Sequence, residues 1–370
     1  MTWANTRIME PVNRRVFCTL IGFVALGLTV PSAFAQAQEG AATEQSLLPG
    51  PKPPDAPAEW KPFVGVYKYS NNGRFEHTVV ILERHQRPYM HSSSGPDEEI
   101  YFDSESMCTP DPVKGGRCYE RVQESTGAPF FVYLMESFVR IDAGAAPADS
   151  YHITPSKPVA ALRTAALQAK PPAEAGPFRK ADLVELAPLD PAIQLDIRYA
   201  QSNNFLSTPL YAQARAFLQR PAAEALLRAL KKLQPLGYGL LIHDAYRPWY
   251  VTEIFWEATP PDKRMFVADP QKGSRHNRGC AVDLTLYDLA TGKPIEMPGL
   301  YDEMSERSFP NFPGGTSLQR WHRDLLRRAM ESEGFTVDEN EWWHYDYKDW
   351  RSYPILNVPF EDLQAGAASH

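Results

Sequence analysis

The pattern of apolar residues changes character near Lys180, and this change limits the folds open to the chain. Between about Trp60 and Ile153 there are short β-type runs, such as FVGVYKYS and HTVVILERH, separated by turn residues. After Lys180, helical and strand patterns are mixed. A length of 370 residues suits roughly two domains. The sequence therefore predicts an α+β protein, with a small antiparallel β accessory domain over 58–155 and a second domain over 181–360.

Segments of biased composition surround these predicted domains. Residues 36–57 are Pro-rich and polar with no apolar period, which indicates an extended linker. A second Ala/Pro-rich stretch over 156–180 is predicted to link the two domains, and residues 361–370 are predicted to form a flexible tail.

The N-terminus carries the pattern of a secretory signal peptide. Arg14 and Arg15 precede an apolar run over 16–30, and the small-residue triplet at 33–35 predicts removal of residues 1–35. No other segment approaches the ~20 apolar residues of a membrane span, and an uncleaved anchor is the alternative. We therefore expect an exported protein, periplasmic or secreted.

Net charge and cysteine content indicate which partners and which cellular compartment suit the protein. Removing residues 1–35 takes away three Arg and one Glu, so the formal net charge goes from -7 to -9. An acidic protein is a poor ligand for nucleic acid, because that affinity comes from Lys and Arg. Cys108 and Cys118 enclose the turn-rich CTPDPVKGGRC, and in an oxidising compartment they are expected to form a disulfide.

The second domain combines three predicted helices with strands. The helices are predicted at 221–237, 249–258 and 317–333, and the strand YGLLIHD follows the first. In AVDLTLYD, Val282, Leu284 and Leu286 alternate with polar residues. This pattern predicts a strand with one apolar face and with Asp283 on the other.

Two short patterns supply the residues of a metal site. A catalytic zinc needs three protein ligands and one open position. His276 and Asp283 offer two ligands, and His344 in EWWHY offers a third, with Glu341 as general base. Residues three apart on a strand point to opposite faces, so we expect Glu341 at the irregular start of a strand. The alternative is that His344 is a packed core histidine in an aromatic strand.

Five sequence words resemble, in order and spacing, the D-alanyl-D-alanine dipeptidases of the VanX type, within the zinc D,D-peptidase family: LDIRYAQSNNF, DAYRP, SRHNRGCAVDLTL, YDEMSERS and EWWHY. The resemblance covers about residues 183–360. It implies a domain with a central antiparallel sheet and one Zn²⁺ per chain. His276, Asp283 and His344 resemble the zinc ligands of the family, and Glu341 resembles its catalytic base.

The resemblance also suggests residues that contact the substrate. Arg247 in DAYRP resembles the transition-state arginine of the family, and a fixed guanidinium would stabilise an oxyanion. A structural ion pair with Asp244 is the alternative role. Asp302 matches the acid that holds the free ammonium of the substrate, and Tyr199 and Ser274 match pocket positions.

Some residues depart from the family or lack a partner pattern. Cys280 stands where the family more often has a small residue such as Ser, and a thiolate so close to the predicted ligands is an alternative zinc donor. We favour a small buried residue there. His243 and His322 have no partner pattern and are given structural roles.

Together these features predict an exported zinc dipeptidase acting on D-Ala-D-Ala, or a related D,D-dipeptide, derived from the cell wall. The N-terminal domain is expected to act as a scaffold or as a module that binds the cell-wall surface. One alternative is a D,D-carboxypeptidase that trims peptidoglycan stems with the same metal site. The other is a non-catalytic, zinc-containing wall-binding protein.

Overall fold

The computed structural model describes residues 47–72, 75–102, 105–109, 116–123, 129–142 and 151–363. The predicted signal peptide, residues 36–46 of the first linker and residues 364–370 of the predicted tail lie outside this part of the chain. The α-helices are α1 Val159–Gln168, α2 Arg220–Leu233, α3 Trp249–Ala258 and α4 Ser317–Glu331. Of these described helices, none has the length and apolar character needed to cross a membrane.

The strands fall into a nine-stranded sheet, a five-stranded sheet and a small pair. They are β1 Gly65–Asn71, β2 Phe75–Arg84, β3 Arg87–Ser92, β4 Glu98–Glu99, β5 Tyr101–Phe102, β6 Ser106–Thr109, β7 Arg117–Gln123, β8 Pro129–Tyr133, β9 Glu136–Arg140, β10 Leu183–Glu185, β11 Ile193–Leu195, β12 Phe217–Gln219, β13 Tyr238–Asp244, β14 Ala281–Asp288, β15 Phe335–Val337 and β16 His344–Tyr347.

The first nine strands form an antiparallel sheet in the order β4-β3-β2-β1-β9-β8-β7-β6-β5. The second half of strand β2 is buried on both faces: successive side chains of a strand point in opposite directions, and the four at 79–82 are all buried. Val79 and Ile81 pack into one apolar cluster, whereas Val80 and Leu82 pack into another. The antiparallel β structure predicted for this region is therefore present.

The second face of β2 packs against the segment that leads into α4. Val80 and Leu82 share their cluster with Phe312, and Leu82 pairs with Gly315 in an isolated bridge. The carboxylate of Glu83 accepts a hydrogen bond from the backbone N–H of Ser317 at 2.7 Å. A carboxylate is favourable at the N-terminus of a helix. The nine-stranded sheet is thus joined to the C-terminal half by apolar and polar contacts.

The central sheet has five strands in the order β11-β13-β14-β16-β15. Its neighbours are antiparallel except β11 and β13, which run parallel, so the predicted antiparallel sheet has one parallel edge. On β14, Val282, Leu284 and Leu286 lie in the main apolar core. Asp283 stands on the opposite face, as the alternation predicted.

Parts of both predicted linkers and of the predicted tail are packed against the core. The segment 156–180 contains helix α1, whose Leu162 and Ala166 are buried in the core beside α3. Two apolar positions four residues apart make a stripe too short to stand out in an Ala/Pro-rich sequence. Leu47, in the predicted 36–57 linker, is buried, and Leu363, in the predicted tail, packs against the core.

Candidate active site

Strands β14 and β16 place two candidate metal ligands side by side. Asp283 and His344 are register partners in this antiparallel pair, so their side chains stand on the same face. His276 comes from the short 3-10 turn His276–Arg278 just before β14. Gly279 ends that turn with φ +66°, a conformation that glycine adopts without strain. This turn places the side chain of His276 next to those of Asp283 and His344.

The three donor atoms are arranged for one divalent metal ion. Nε2 of His276 lies 3.1 Å from Nδ1 of His344 and 3.2 Å from Oδ1 of Asp283, and the latter two atoms are 3.1 Å apart. Donors about 2.0–2.1 Å from a tetrahedral zinc would stand about 3.3–3.4 Å from each other. Oδ1 of Asp283 is buried, faces both imidazole nitrogens, and makes no hydrogen bond of regular geometry within the described part of the chain. A cation held among the three donors would satisfy this buried carboxylate oxygen.

Each histidine ring is held in place by an acceptor on its other nitrogen. Nδ1 of His276 lies 2.6 Å from the carbonyl oxygen of Ala245, and Nε2 of His344 lies 2.9 Å from a carboxylate oxygen of Asp346. Such partners fix the tautomer and turn the remaining nitrogen toward the metal. Asp346 was absent from the sequence prediction. Its signal was its position two residues after His344, because that spacing places both side chains on one face of a strand.

Glu341 lies three residues before the first residue of β16, outside the regular ladder, in the kind of position predicted for it. One of its carboxylate oxygens is 3.7 Å from Nδ1 of His344, and its side chain is 21% exposed, so it borders both the donor triad and the cavity beside it. Burial raises the pKa of Glu341 well above its usual value; His344 opposes this effect and Asp283 adds to it. A carboxylate with a raised pKa is suited to accept a proton near neutral pH.

Arg247 combines the two roles considered for it. Its Nε and Nη2 atoms each lie 2.8 Å from Oδ2 of Asp244, so the structural ion pair is present. The same Nη2 is 3.7 Å from Oδ2 of Asp283, which brings the guanidinium next to the donor triad. Its guanidinium also lies over the rings of Tyr199 and Phe255. The positive charge is therefore fixed in position beside the candidate metal centre.

Asp302 and Tyr199 meet on the wall of the same cavity. The hydroxyl of Tyr199 lies 2.9 and 3.0 Å from the two carboxylate oxygens of Asp302. It also lies 3.2 Å from the hydroxyl of Tyr301, which donates to Asp283 at 3.0 Å. Asp302 has φ +59°, an uncommon backbone conformation outside glycine. Burial, together with the charge of Asp283, raises the pKa of Asp302 to about 8.

Ser274 and Cys280 have mainly structural positions. The hydroxyl of Ser274 accepts a hydrogen bond from the N–H of His276 at 3.2 Å, and Ser274 also lines the cavity. Cys280 is buried, and its thiol faces the carbonyl oxygen of Arg278 at 3.6 Å. Burial raises the pKa of the Cys280 thiol to about 12. A thiol that stays protonated is a poor metal ligand, and Cys280 belongs to neither donor group found among the described residues.

The cavity formed by these groups has a volume of about 290 Å³. Its lining includes the three donors, the base candidate and both charged residues assigned to substrate: His276, Asp283, His344, Glu341, Arg247 and Asp302. A cavity of this size, near the lower end for small-molecule sites, suits a compact polar ligand. The structure therefore brings together all eight residues predicted for the site.

Comparisons with known proteins identify relatives of the C-terminal half of the chain. Residues 179–364, half of the chain, match the family described as D-Ala-D-Ala dipeptidase. A D-alanyl-D-alanine dipeptidase of Escherichia coli strain K12 is 35% identical over 189 residues, which is 51% of this chain and 96% of that protein. Proteins of the same name from Enterococcus faecalis strain V583 and Streptomyces coelicolor are 35% and 34% identical, over 44% and 42% of this chain and 89% and 87% of their own lengths. The chain belongs to the D-Ala-D-Ala dipeptidase family of metallopeptidases.

Proposed function

We propose that this protein hydrolyses D-Ala-D-Ala, or a closely related D,D-dipeptide, with one Zn²⁺ held by His276, Asp283 and His344. The observation that carries the proposal is that the three donors, Glu341 and Arg247 all border one cavity. Two imidazoles and a carboxylate are a suitable donor set for a catalytic zinc with an open position. A purely structural metal site would require neither a base nor a buried cation beside it.

Each of these residues would have a separate role in peptide hydrolysis. When bound, the zinc would polarise the scissile carbonyl group and increase the acidity of water. Glu341 would accept a proton from the attacking water and pass it to the leaving amine. Arg247, held by Asp244, would stabilise the negative charge that develops on the carbonyl oxygen. Because the guanidinium is already fixed in position, little reorganisation is required during the reaction.

Asp302 supports a free dipeptide as the substrate in place of a peptidoglycan stem. Asp302 lies on the wall of the small cavity, where its carboxylate would pair with the ammonium group of a dipeptide. An acylated nitrogen in a longer stem carries no charge, so Asp302 would be left without that partner. Tyr199 holds the carboxylate from behind. This arrangement favours a dipeptidase over a carboxypeptidase.

One experiment distinguishes the three candidate activities. Purified, zinc-loaded protein is incubated with free D-Ala-D-Ala and separately with muropeptides that end in D-Ala-D-Ala, and the products are identified by mass. We expect free D-Ala from the dipeptide, released at least about 10²-fold more slowly when Glu341→Gln replaces the wild type. Release from muropeptides alone would identify a carboxypeptidase. Absence of hydrolysis from both substrates would leave the non-catalytic wall-binding protein.

We also propose that the protein is exported and therefore acts on dipeptide released from the cell wall. The disulfide between Cys108 and Cys118, on neighbouring strands β6 and β7, supports this location, because structural disulfides persist mainly in oxidising compartments. Cell fractionation and N-terminal sequencing of the mature protein test the proposal, and Gln36 is the expected first residue. Recovery of the full chain in the cytoplasm would contradict it. Binding of the cell wall by the region 58–155 stays a prediction.

A further inference from the structure

The loop that carries Asp302, residues 298–308, is held together by its own polar side chains. One carboxylate oxygen of Glu303 accepts a hydrogen bond from the backbone N–H of Leu300 at 2.9 Å, and the other accepts one from the hydroxyl of Ser305 at 2.8 Å. The side chain of Glu303 is only 4% exposed, so these bonds lie in a low-dielectric environment that strengthens them. Because Glu303 directly follows Asp302, the backbone beside the proposed ammonium-binding residue is fixed.

Arg307 connects the end of this loop to its start and to the nine-stranded region. Its Nε donates a hydrogen bond to the carbonyl oxygen of Pro298 at 3.2 Å, and its Nη1 donates one to Oδ2 of Asp142 at 2.9 Å. The same Nη1 is 3.6 Å from a carboxylate oxygen of Glu303. Asp142 comes two residues after β9, whereas the family match begins at residue 179. A residue outside the matched region therefore contacts the loop of Asp302.

Asp142 is itself fixed from the side of β9. Nε of Arg140 lies 2.6 Å from Oδ1 of Asp142, and the two Nη atoms of Arg140 donate to the carbonyl oxygens of Pro62 and Val64 at 2.9 and 3.1 Å. The side chain of Asp142 is 3% exposed and that of Arg307 is 13% exposed. Salt screens a pair in such a position much less than it screens a surface ion pair. The two regions are thus joined here by a sheltered, charge-assisted contact.

The residue after Arg307 also links the loop to the segment of the base candidate. The carbonyl oxygen of Ser308 accepts a hydrogen bond from the backbone N–H of Trp342 at 2.8 Å, and Trp342 directly follows Glu341. The hydroxyl of Ser308 donates to the carbonyl oxygen of Glu303. The loop therefore carries one residue of the candidate site and contacts the segment of another.

We propose that Asp142 is a positioning residue for the peptidase site, which holds the carboxylate of Asp302 toward the ammonium group of a dipeptide by way of Arg307. This inference rests on the proposed function. Asp142 and Arg307 line a cavity between the nine-stranded sheet and the C-terminal half, whereas Asp302 lines the catalytic cavity. Asp142 therefore acts through the loop 298–308 and does not touch the substrate. The nine-stranded region would then support the choice of substrate.

Steady-state kinetics of the zinc-loaded, full-length protein on two peptides test the proposal. Asp142→Asn keeps the size of the side chain but removes the charge that holds Arg307. We expect kcat/KM for free D-Ala-D-Ala to fall about 10-fold, mainly through KM, because the ammonium partner is displaced. Cleavage of N-acetyl-D-Ala-D-Ala, which has no ammonium group, should change little. Arg307→Lys alters the same contact from the side of the loop and should narrow the selectivity in the same way. Wild-type selectivity in both variants would overturn the inference.

A double variant separates positioning of Asp302 from a general loss of structure. If Asp142 acts through Asp302, Asp142→Asn should have little further effect on KM in protein that already carries Asp302→Asn. A purely structural contact would instead lower the cleavage of both peptides alike and would add to the effect of Asp302→Asn. Full additivity of the two substitutions would therefore overturn the inference.

Hydrogen exchange of the loop provides a readout that does not depend on turnover. Peptides that cover 298–308 should exchange faster in Asp142→Asn than in the wild type. Glu83→Gln is the matched control, because Glu83 joins the same two regions at Ser317, outside this loop, and it should keep wild-type exchange of the loop and wild-type selectivity. Equal exchange of the loop in Asp142→Asn and the wild type would overturn the inference and leave the proposed function intact. Absence of hydrolysis by the wild type would overturn both.

Discussion

A carboxylate oxygen of Asp346 lies 2.9 Å from Nε2 of His344, while Nδ1 of the same ring faces Asp283 at 3.1 Å. Asp346 is itself paired with Arg275 at 3.1 Å, so its position is fixed from a second direction. A carboxylate on the far nitrogen orients a metal-binding imidazole and increases its basicity. We therefore expect Asp346 to position His344 for the candidate metal centre.

Replacing this carboxylate should weaken metal binding without removing a ligand. For Asp346→Asn we expect about 10- to 100-fold lower zinc affinity, measured by competition with a chromogenic chelator. Asp349→Asn is the matched control, because Asp349 is three residues away and pairs with Arg179 at the surface. Equal zinc affinity in Asp346→Asn, Asp349→Asn and the wild type would remove Asp346 from this role.

We expect metal binding at the donor triad to depend on pH, because zinc would compete with a proton on His344. Burial lowers the pKa of His344, but the carboxylates of Asp346 and Asp283 outweigh this effect and raise the pKa well above its usual value. In the metal-free protein at pH 7 the ring therefore carries a proton that zinc must displace from Nδ1. We expect zinc affinity to fall as the pH falls. Calorimetry in two buffers of different ionisation enthalpy should show release of about one proton or more per zinc; a heat that is independent of the buffer would contradict this.

The donor triad and the base candidate were predictable because these four residues fall in two short segments. His276 and Asp283 are joined by one turn and the start of one strand, and Glu341 and His344 lie at the start of another. Local patterns of this kind carry information on which side chains share a face. Tyr301 had no such signal, since its contacts with Tyr199 and Asp283 depend on how distant segments pack.

Contacts between distant segments also explain the features of the fold that were not predicted from the sequence. Antiparallel β structure was predictable from the short β-type runs between turn residues, but the contact of Val80 and Leu82 with Phe312 joins residues more than 200 positions apart. Helix α1 has only two buried positions, so its place is decided by the core it meets and not by its own pattern. The cavity between the two regions follows from that long-range packing.

Glu341→Gln should separate metal binding from chemistry. Glu341 borders the donor triad without belonging to it, so we expect the variant to retain one equivalent of zinc and to lose about 10²-fold or more in turnover. Replacement of any of the three ligands by Ala should instead lower zinc content. Metal analysis and steady-state kinetics on the same preparations provide the measurement. Near-native turnover of Glu341→Gln would remove it from the mechanism, and full zinc content in all three ligand variants would refute the assigned metal site.

The catalytic role of Arg247 is tested with a substitution that keeps the positive charge. Arg247→Ala would leave Asp244 buried and unpaired, which costs about 3–5 kcal/mol and would confuse folding with catalysis. Arg247→Lys keeps a cation but loses the planar fork. We expect it to fold, to bind zinc and to lose about 10²- to 10³-fold in kcat. Arg228→Lys, at an exposed ion pair on α2, is the control. Wild-type kcat in Arg247→Lys would exclude the guanidinium from transition-state stabilisation.

We expect the choice of substrate to depend on Asp302, whose carboxylate lies on the wall of the candidate catalytic cavity and contacts the hydroxyl of Tyr199. Facing a free ammonium, this carboxylate gains an ion pair. Facing an acylated nitrogen, it loses water and gains no charged partner, at a cost of a few kcal/mol. The raised pKa of Asp302, about 8, means that a nearby positive charge is needed to keep it ionised at neutral pH.

We therefore expect the zinc-loaded protein to cleave free D-Ala-D-Ala at least about 10²-fold faster, in kcat/KM, than N-acetyl-D-Ala-D-Ala. Asp302→Asn keeps the shape of the side chain but removes the charge that pairs with the ammonium. It should narrow this ratio mainly by lowering cleavage of the free dipeptide, with cleavage of the acetylated peptide little changed. Product release measured by mass on both peptides gives the ratio directly. Equal or faster cleavage of the acetylated peptide by the wild type would instead identify a D,D-carboxypeptidase, with the metal site as assigned.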